Sequence, residues 1–509
     1  MKNTFRASMT WLHTWCGLLL AWLLYAIFIT GTASYYRPEI TQWMQPELRP
    51  HVAAPAVLME RALGEIRRQA PDATTIYVRF PNDRDPGLQL NWQTPDGQRH
   101  AKVVDAETAR LEARDSRGGE FFYRFHFQLQ LPYPWGRFIA CFAAVFMLVA
   151  LVTGIVAHRQ FFKDFFTFRP SKPGTRSWLD VHNLTGVLAL PFYFMIAYSA
   201  QVIFVEMFMP WGKWATEPPA LIAEATASQT APPAPSAAPT PPSDIPPLPI
   251  AALVESYTAR YGTLPLGTLY ATGLGTERGV ASFRPWADQE IAYDSRNTLN
   301  LHAVTGAPLT PPPNPGLFVR IHDVFYGLHM VRFAGPALRA LFFLLGVMGS
   351  LLCATGLVMW TVKRRKRQEA LRTEGRTGFG HWLVERLNIA VLIGFPLALS
   401  TIFWANRLLP FDLPQRGDLE VDIVFIVWGL TLIHAMVRPV MRAWREQLWT
   451  AAALFALLPF LDVVTTPDPG ARLAFNLIVL VLGGLLAWAA LRVQRGRRRP
   501  HAPHPETAP

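Results

Sequence analysis

Four histidines stand at the ends of long apolar segments, and they are the residues best suited to chemistry in this sequence: His13, His126, His182 and His329. His13 is followed four residues later by Gly17, and His182 is followed in the same way by Gly186. Ionisable side chains inside a membrane are costly and are usually functional. A pattern that occurs twice therefore predicts a site built from paired imidazoles.

Further residues follow the two outer histidines at matched spacing. Arg137 lies eleven residues after His126, and Arg339 lies ten residues after His329. A Thr-Gly dipeptide then stands near the end of each apolar run, at 153–154 and at 355–356. The order and the spacing indicate an internal duplication, although the two copies share little identity.

The apolar segments predict a polytopic α-helical membrane protein. Of the 509 residues, 51% are hydrophobic and 17% are charged, whereas a soluble protein has about 25% charged residues. About eight segments reach the length that a spanning helix needs: 11–36, 136–157, 178–207, 336–361, 386–405, 421–441, 448–465 and 472–492. The three cysteines, Cys16, Cys141 and Cys353, fall within these segments and have no metal-type spacing. The first segment is predicted to be a retained anchor, because cleavage as a signal peptide would remove His13.

The net charge of +12 reports topology and not a nucleic-acid partner. Lysine and arginine concentrate in segments that alternate to one side: 157–177, 363–376, 438–445 and 492–499. Basic loops stay on the cytoplasmic side of a membrane. Both termini are therefore predicted to be cytoplasmic, and the two long polar segments are predicted to be exported.

Each exported segment reads as a small helix followed by short strands. The first has helical periodicity over 56–69 and alternation near 75–80, 87–92 and 101–104. The second repeats this order, with a helix at 250–261 and strands near 265–271, 278–284, 289–294 and 298–302. The sequence thus predicts two small α+β domains within a duplicated unit of span, exported domain and span.

The predicted domain boundaries follow from these segments. A first transmembrane helix (1–36) leads to exported domain 1 (37–135), to transmembrane helices 2 and 3 with a basic cytoplasmic loop (136–207), and to a Pro/Ala-rich exported linker (208–249). Exported domain 2 (250–335), a fourth transmembrane helix (336–365), a cytoplasmic loop (366–385), four C-terminal helices (386–492) and a cytoplasmic tail (493–509) complete the chain.

Duplication would place equivalent histidines at equal membrane depth on different helices. His13 would then pair with His182 near the cytoplasmic face, and His126 with His329 near the exported face. Two such pairs predict two b-type haems, each held by two imidazoles. Three other histidines leave alternatives: His158 for the inner pair, His322 for the outer pair, and His434, which is expected to be structural or interfacial.

Other residues are predicted to assist the haems. Gly17 and Gly186, one turn after the inner ligands, would leave room for a flat macrocycle. Arg137 and Arg339 could neutralise propionates by bidentate contact. The sequence has no dinucleotide fingerprint and no P-loop, so no flavin or nicotinamide site is expected. The electrons would come from a membrane quinol or a separate reductase.

Several short motifs together resemble the PepSY-associated transmembrane proteins, also called iron-regulated membrane proteins. They are the segments 11–17 (WLHTWCG), 153–159 (TGIVAHR), 165–170 (FFTFRP), 179–186 (LDVHNLTG), 328–335 (LHMVRFAG) and 355–360 (TGLVMW), followed by the basic residues 363–365. The resemblance covers residues 1–365. The chain departs from it at Ser199-Ala200, where a Thr-Gly would be expected, and in the helices after residue 385.

This family includes ferric-siderophore reductases of the bacterial inner membrane. The resemblance therefore implies a di-haem reductase that passes electrons outward to a ferric siderophore or other ferric chelate and releases iron(II). The residues expected near that substrate are Tyr35, Tyr36, Trp135 and Arg332. Two alternatives remain: a PepSY-domain protein that binds an exported peptidase without haem, and a siderophore permease. The permease is less favoured because no charged residue is expected to lie buried in the middle of a span as a substrate or proton relay.

Overall fold

The computed structural model describes residues 4–49, 53–158, 175–209, 250–274, 276, 279–286, 290–292, 298–309, 317–373, 378–466 and 472–495. The chain divides into two compact units. The helical unit consists of Met1–Met44, Asp115–Phe194 and Phe343–Pro509, and the sheet unit of Gln45–Arg114 and Met195–Phe342. The predicted linker at 208–249, most of the basic loop at 157–177 and the tail lie almost wholly outside the described residues.

Helices form most of the described chain. The helices before residue 262 are α1 (Phe5–Ser34), α2 (Arg37–Met44), α3 (Pro55–Gln69), α4 (Glu120–Gln128), α5 (Trp135–Ala157), α6 (Thr175–Leu188), α7 (Leu190–Ile203), α8 (Val205–Phe208) and α9 (Ile250–Tyr261). The helices after residue 310 are α10 (Leu317–Met330), α11 (Pro336–Thr373), α12 (Phe379–Leu392), α13 (Gly394–Leu408), α14 (Arg416–Val437), α15 (Val440–Ala456), α16 (Leu458–Thr465) and α17 (Leu473–Arg495).

Seven helical segments of the described chain are long and apolar enough to cross a membrane. An eighth is counted if the bent pair α6–α7 is one span, because its two halves meet at 65°. Pro191 follows the break at Ala189, and a proline removes one backbone hydrogen bond and clashes with the preceding turn. Proline also follows the breaks between α12 and α13 and between α15 and α16. The eight predicted segments therefore correspond to these helices, and the protein is a polytopic helical membrane protein.

The sheet unit contains one sheet and not two. Its strands are β1 (Thr75–Arg79), β2 (Gly87–Gln93), β3 (Arg99–Asp105), β4 (Leu266–Thr272), β5 (Val280–Pro285) and β6 (Leu299–His302). Their spatial order is β3-β2-β1-β4-β5-β6, and every neighbouring pair is antiparallel. The strand predicted near 289–294 is absent at the described residues 290–292, and its other positions lie outside the described residues.

The first strands of the two predicted domains pair with each other. Val78 of β1 lies opposite Leu269 of β4, and both are fully buried. Each module alone would leave this strand as an open edge with unpaired backbone groups. Pairing β1 with β4 removes both edges and gives the two modules one core, in which residues of α3 and α9 pack on the same sheet. The predicted pair of separate domains is thus a single six-stranded domain.

The C-terminal helices contain buried charges near their ends. Asp462 on α16 is fully buried and accepts hydrogen bonds from Arg407 at 2.8 Å and from Arg472 at 3.0 Å. Glu420 on α14 is likewise buried and pairs with Arg416 at 2.6 Å. These charges lie near helix ends and neutralise one another, which is how charged groups are usually accommodated at membrane depth.

Candidate functional site

His13 and His182 face each other within the helical unit. Their ring centroids are 6.3 Å apart and the rings are inclined at 73°. The Nδ1 of His13 lies 2.8 Å from the carbonyl oxygen of Ala150, and the Nδ1 of His182 lies 3.1 Å from that of Leu352. A carbonyl can only accept, so each Nδ1 carries the proton and each Nε2 is left with a lone pair for a metal.

The separation of the two rings fits one metal ion between them. A metal–imidazole bond is about 2.0–2.1 Å long and a ring nitrogen lies about 1.1 Å from the ring centre, so two imidazoles on opposite sides of one ion have centroids about 6.3 Å apart. The observed centroid distance is 6.3 Å. Among the described residues, neither Nε2 has a hydrogen-bond partner in the protein. The centroid distance therefore equals the one expected for two imidazoles that bind the same ion.

The described residues contain no group of three or more His, Cys, Asp or Glu side chains that could hold a metal ion. A bare ion such as zinc usually needs three or four protein ligands. Haem iron needs at most two, because the porphyrin supplies the other four donors. Two opposed imidazoles without further ligands are consequently better suited to haem than to a bare metal ion.

The Thr-Gly dipeptide at 153–154 positions His13. Thr153 Oγ1 donates to the carbonyl oxygen of Val149 at 2.6 Å and lies 3.2 Å from that of Ala150, which is the oxygen that His13 Nδ1 approaches. A Cβ added to Gly154 would lie 3.0 Å from His13 Cε1. The threonine thus lies beside the acceptor, and the glycine leaves the space through which the ring reaches it.

The Thr-Gly dipeptide at 355–356 does the same for His182. Thr355 Oγ1 donates to the carbonyl oxygen of Leu352 at 3.1 Å and lies 3.2 Å from His182 Nδ1. A Cβ added to Gly356 would lie 3.3 Å from His182 Cε1. The inner pair is therefore held by the same arrangement on α5 and on α11.

A third Thr-Gly dipeptide, at 30–31 on α1, positions His126. Thr30 Oγ1 donates to the carbonyl oxygen of Ile27 at 3.2 Å, and His126 Nδ1 lies 2.9 Å from that oxygen. A Cβ added to Gly31 would lie 2.5 Å from His126 Nδ1. This dipeptide was not among the residues predicted from the sequence. Its counterpart in the second copy is Ser199-Ala200, where the chain departs from the family pattern.

Ser199 is the hydrogen-bond partner of the fourth histidine, His329. His329 Nδ1 lies 2.8 Å from Ser199 Oγ, and this hydroxyl donates to the carbonyl oxygen of Ile196 at 3.1 Å. The serine hydroxyl replaces the carbonyl as the acceptor for the ring. His329 belongs to the sheet unit and His126 to the helical unit, so their pairing stays a prediction.

The other glycines and histidines named from the sequence are placed as follows. A Cβ on Gly17 would meet nothing within 4 Å, and one on Gly186 would meet only Leu352 Cδ1 at 3.4 Å. Space for a macrocycle is thus present beside them, whereas Gly154 and Gly356 contact the inner rings directly. His158 ends α5 and lies within electrostatic range of His182, so it remains an alternative inner ligand.

His322 and His434 have carboxylate partners. His322 Nδ1 lies 3.1 Å from Asp323 Oδ1, a carboxylate partner that would also leave Nε2 for a metal, so His322 stays an alternative outer ligand. His434 Nε2 lies 2.9 Å from Glu446 Oε2, as expected for a structural histidine. Neither lies against a Thr-Gly dipeptide.

The predicted propionate and substrate residues already make protein contacts. Arg137 donates to Gln128 Oε1 at 3.2 Å, and Arg339 donates to the carbonyl oxygen of Ala334 at 2.8 Å. Tyr36 packs edge-on against Phe343 at 5.4 Å. The remaining candidates, Tyr35 at the end of α1, Trp135 at the start of α5 and the exposed Arg332, have no contact that points to a ligand. The roles of all six stay predictions.

Comparison with known proteins identifies the family. No curated protein matches the chain. The family model for the PepSY-associated TM region matches residues 10–363. This match includes all four histidines and the three Thr-Gly dipeptides that lie against His13, His126 and His182, and it ends before α12. The chain therefore belongs to the PepSY-associated transmembrane family.

Proposed function

We propose that this protein is a di-haem b oxidoreductase of the bacterial inner membrane. It would carry electrons outward and reduce a ferric siderophore or other ferric chelate on the periplasmic side. The single observation that supports this most strongly is the His13–His182 pair, with ring centroids 6.3 Å apart and both Nδ1 atoms directed at backbone carbonyls.

The protein's own contribution at the inner site is orientation. Hydrogen bonds from Nδ1 fix the tautomer and the rotation of each imidazole, and such outer partners also raise the basicity of the ligand. Both rings are partly buried, and apolar side chains of α1, α11 and α12 pack together in the same helical unit. When bound there, haem b would supply one-electron redox chemistry at a potential set by its axial ligands and burial.

The repeated anchor supports a second haem. His126 and His329 have their Nδ1 atoms fixed in the same manner as the inner pair, on α1 and on α7. Both would present Nε2 to a ligand. A second centre nearer the periplasmic face would let electrons cross the membrane in two steps. It would also bring them to the side where the family's ferric substrates arrive.

Release of iron follows from the change in oxidation state. Iron(II) binds hard oxygen chelators much less tightly than iron(III), so transfer of one electron to the chelate frees the metal. This substrate class rests on the family resemblance alone. The residues that would contact the chelate remain those predicted from the sequence: Tyr35, Tyr36, Trp135 and Arg332.

The first test is the visible spectrum of the purified protein, air-oxidised and then reduced with dithionite. We expect low-spin haem b at about two per chain. His13→Ala and His182→Ala should each lose the inner haem, whereas His434→Ala should keep both, because His434 pairs with Glu446. A colourless wild-type protein from haem-replete cells would contradict the proposal and favour the peptidase-binding alternative.

The acceptor is tested separately by re-oxidation. The dithionite-reduced protein, freed of reductant, is mixed with ferric siderophores or with cupric chelates, and the haem bands are followed. Faster re-oxidation by ferric siderophores, with iron(II) trapped by ferrozine, is the expected result. Re-oxidation by copper alone would retain the haems but reject the ferric substrate.

A further inference from the structure

Helix α4, which carries His126, packs on the C-terminal helices. Its side chains Phe121, Phe122 and Phe125 are almost fully buried, in one apolar cluster with side chains of α13 and α14. The ring of Phe125 lies 5.1 Å from that of Phe395 on α13, measured between centroids. Phe125 directly precedes His126 in the chain. The C-terminal helices therefore contact α4 one residue away from a predicted haem ligand.

The chain that leads into α4 is held by the first turn of α14. Ser116 Oγ donates to Glu420 Oε2 at 2.8 Å, and the backbone N–H of Arg117 donates to the same oxygen at 3.3 Å. Arg416 donates to the carbonyl oxygen of Asp115 at 2.9 Å and to Glu420 Oε1 at 2.6 Å. Arg416 and Glu420 are fully buried. Because a buried ion pair is costly unless its hydrogen bonds are made, this pair holds the three chain positions before α4 in one arrangement.

The second copy provides an internal comparison, because α10 leads to the outer histidine of that copy as α4 does in the first. Counted back from the two histidines, Asp115 corresponds to Phe318, and Phe121 corresponds to Val324. Phe121 is 1% exposed, whereas Phe318 is 72% exposed and Val324 is 37% exposed. The residues with which the first copy binds the C-terminal helices are thus not repeated in the second copy.

The ring of His126 requires α4 to lie at a defined distance from α1. His126 Nδ1 lies 2.9 Å from the carbonyl oxygen of Ile27, and a Cβ added to Gly31 would lie 2.5 Å from the same nitrogen. The ring is thus in direct contact with the backbone of α1. Since a hydrogen bond depends strongly on distance and angle, a small shift of α4 away from α1 would weaken it. Helix α1 supplies the acceptor, and the C-terminal helices hold the helix that carries the donor.

We propose that the C-terminal helices position His126 as an axial ligand of the outer haem, and this rests on the proposed function. Glu420 and Arg416 are positioning residues, because they fix the chain that enters α4, while Phe395 supports the turn that carries the ring. The hydrogen bond at Nδ1 influences the basicity of the imidazole, and axial ligands in turn set the potential of haem iron. The C-terminal helices thereby set the potential of the outer haem.

The first test is a spectroelectrochemical titration of the full-length, haem-containing protein in lipid nanodiscs. The outer haem is assigned as the one that is lost in His126→Ala. A weaker hydrogen bond at Nδ1 makes the imidazole a poorer donor to iron(III), so the potential of the outer haem should rise in Glu420→Gln and in Ser116→Ala. We expect about a tenfold change in its reduced-to-oxidised ratio at a given potential, which is about 59 mV for one electron. Ser116→Thr keeps the hydroxyl and should restore the wild-type potential.

Glu446→Gln is the matched control for this titration. Glu446 pairs with His434 and Arg438 at the opposite end of α14, so both haem potentials should stay at their wild-type values. Ser116→Ala leaves the buried ion pair intact and tests the contact even where Glu420→Gln folds poorly. An unchanged outer potential in Ser116→Ala would overturn the proposal. Equal shifts of both haems would also overturn it, because they would indicate a general effect on packing.

The second test needs no haem. Hydrogen exchange is followed by mass spectrometry in the full-length protein from haem-deficient cells, for peptides of α4 and, as a reference, of α10. Phe395→Ala should make exchange in α4 about tenfold faster and leave α10 unchanged. Phe460→Ala is the control, because this side chain is 67% exposed. Wild-type exchange of α4 in Phe395→Ala would overturn the proposal. A colourless wild-type protein would reject the proposed function, and the exchange data would still decide whether the C-terminal helices position α4.

Discussion

Each of the four histidines has Nδ1 within hydrogen-bond distance of an acceptor on another helix. In three cases that acceptor is a helix carbonyl three residues before a threonine, whose hydroxyl lies 3.1 to 3.2 Å from it and donates at a shorter distance to the carbonyl one residue earlier. The serine at position 199 supplies the acceptor in the fourth case. Outer partners of this kind orient metal ligands and are often as sensitive to substitution as the ligands. The anchoring residues should therefore affect cofactor binding although none contacts the cofactor.

Gly31→Ala tests the space beside an imidazole. The added Cβ would lie 2.5 Å from His126 Nδ1 and 2.6 Å from Cε1, so the ring must leave the carbonyl of Ile27. We expect haem to fall from about two to about one per chain, measured by the pyridine haemochrome assay. Gly429→Ala is the control, because its Cβ would meet nothing within 4 Å. Two haems in Gly31→Ala would show that this contact does not matter.

Thr355→Val tests the hydroxyl beside the inner ligand. The change removes the group that lies 3.2 Å from His182 Nδ1 and 3.1 Å from the Leu352 carbonyl. Loss of such an outer partner should weaken haem binding about tenfold, measured by titrating haem into the apo protein. Thr355→Ser keeps the hydroxyl and should bind as the wild type does. Equal affinity of the valine and serine variants would contradict a role for the hydroxyl.

The histidines could be found from sequence because their types, spacing and duplication are visible in one dimension. The role of the Thr-Gly dipeptides could not, because it depends on which helix each histidine meets. Gly17 and Gly186 follow their histidines on the same helix and attracted attention by spacing alone. Gly154 and Gly356 lie more than one hundred residues from the rings that they contact.

At the scale of elements, the strands can be predicted from the alternation of apolar and polar residues. The joining of all six strands into one sheet cannot be predicted in this way. Tyr77 of β1 lies opposite Tyr270 of β4, and both are partly exposed, while Val78 and Leu269 alternate with them into the core. The alternation in β1 and that in β4 would each also suit a separate three-stranded sheet. Only the removal of two open edges favours the joined sheet, and the pairing of edges separated by nearly two hundred residues leaves no local signal.

The carboxyl group of Asp105, the last residue of β3, should make the stability of the sheet unit depend on pH. Asp105 is buried, which opposes ionisation, but hydrogen bonds from Thr108 and Leu111 outweigh burial and hold the pKa of this carboxyl below its ordinary range. The folded state therefore binds this proton less tightly than the unfolded chain does. The stabilisation is present above the ordinary pKa of about 3.9 and is lost as the pH falls below it.

This dependence is measured by hydrogen exchange in the β2 and β3 peptides at pH values above and below about 4, corrected for the intrinsic rate. We expect protection to fall at the lower pH in the wild type. Asp105→Asn should be less protected at neutral pH and should change less with pH. The exposed Asp83→Asn serves as the control. A wild-type profile in Asp105→Asn would reject the role of this carboxylate.

At the scale of the whole molecule, the joined sheet decides how often the chain crosses the membrane. Because β1 pairs with β4, both modules must lie on one side. Helix α5 crosses once between them, so the bent pair α6–α7 must cross back. We therefore predict eight crossings, which would place both termini on the same side, as the basic segments also indicate. A re-entrant α6–α7 would instead give seven crossings and put the modules on opposite sides.

This topology is tested with single cysteines and a membrane-impermeant maleimide, in a chain whose three native cysteines are replaced. Asp83→Cys in the first module and Thr305→Cys in the second are exposed positions, as is Ser8→Cys near the N-terminus. We expect the first two to react in intact spheroplasts, and Ser8→Cys to react only after permeabilisation. Labelling of Thr305→Cys only after permeabilisation would mean that α6–α7 returns to its own side. That outcome would also rule out a pairing of β1 with β4, because one sheet cannot lie on both sides of a bilayer.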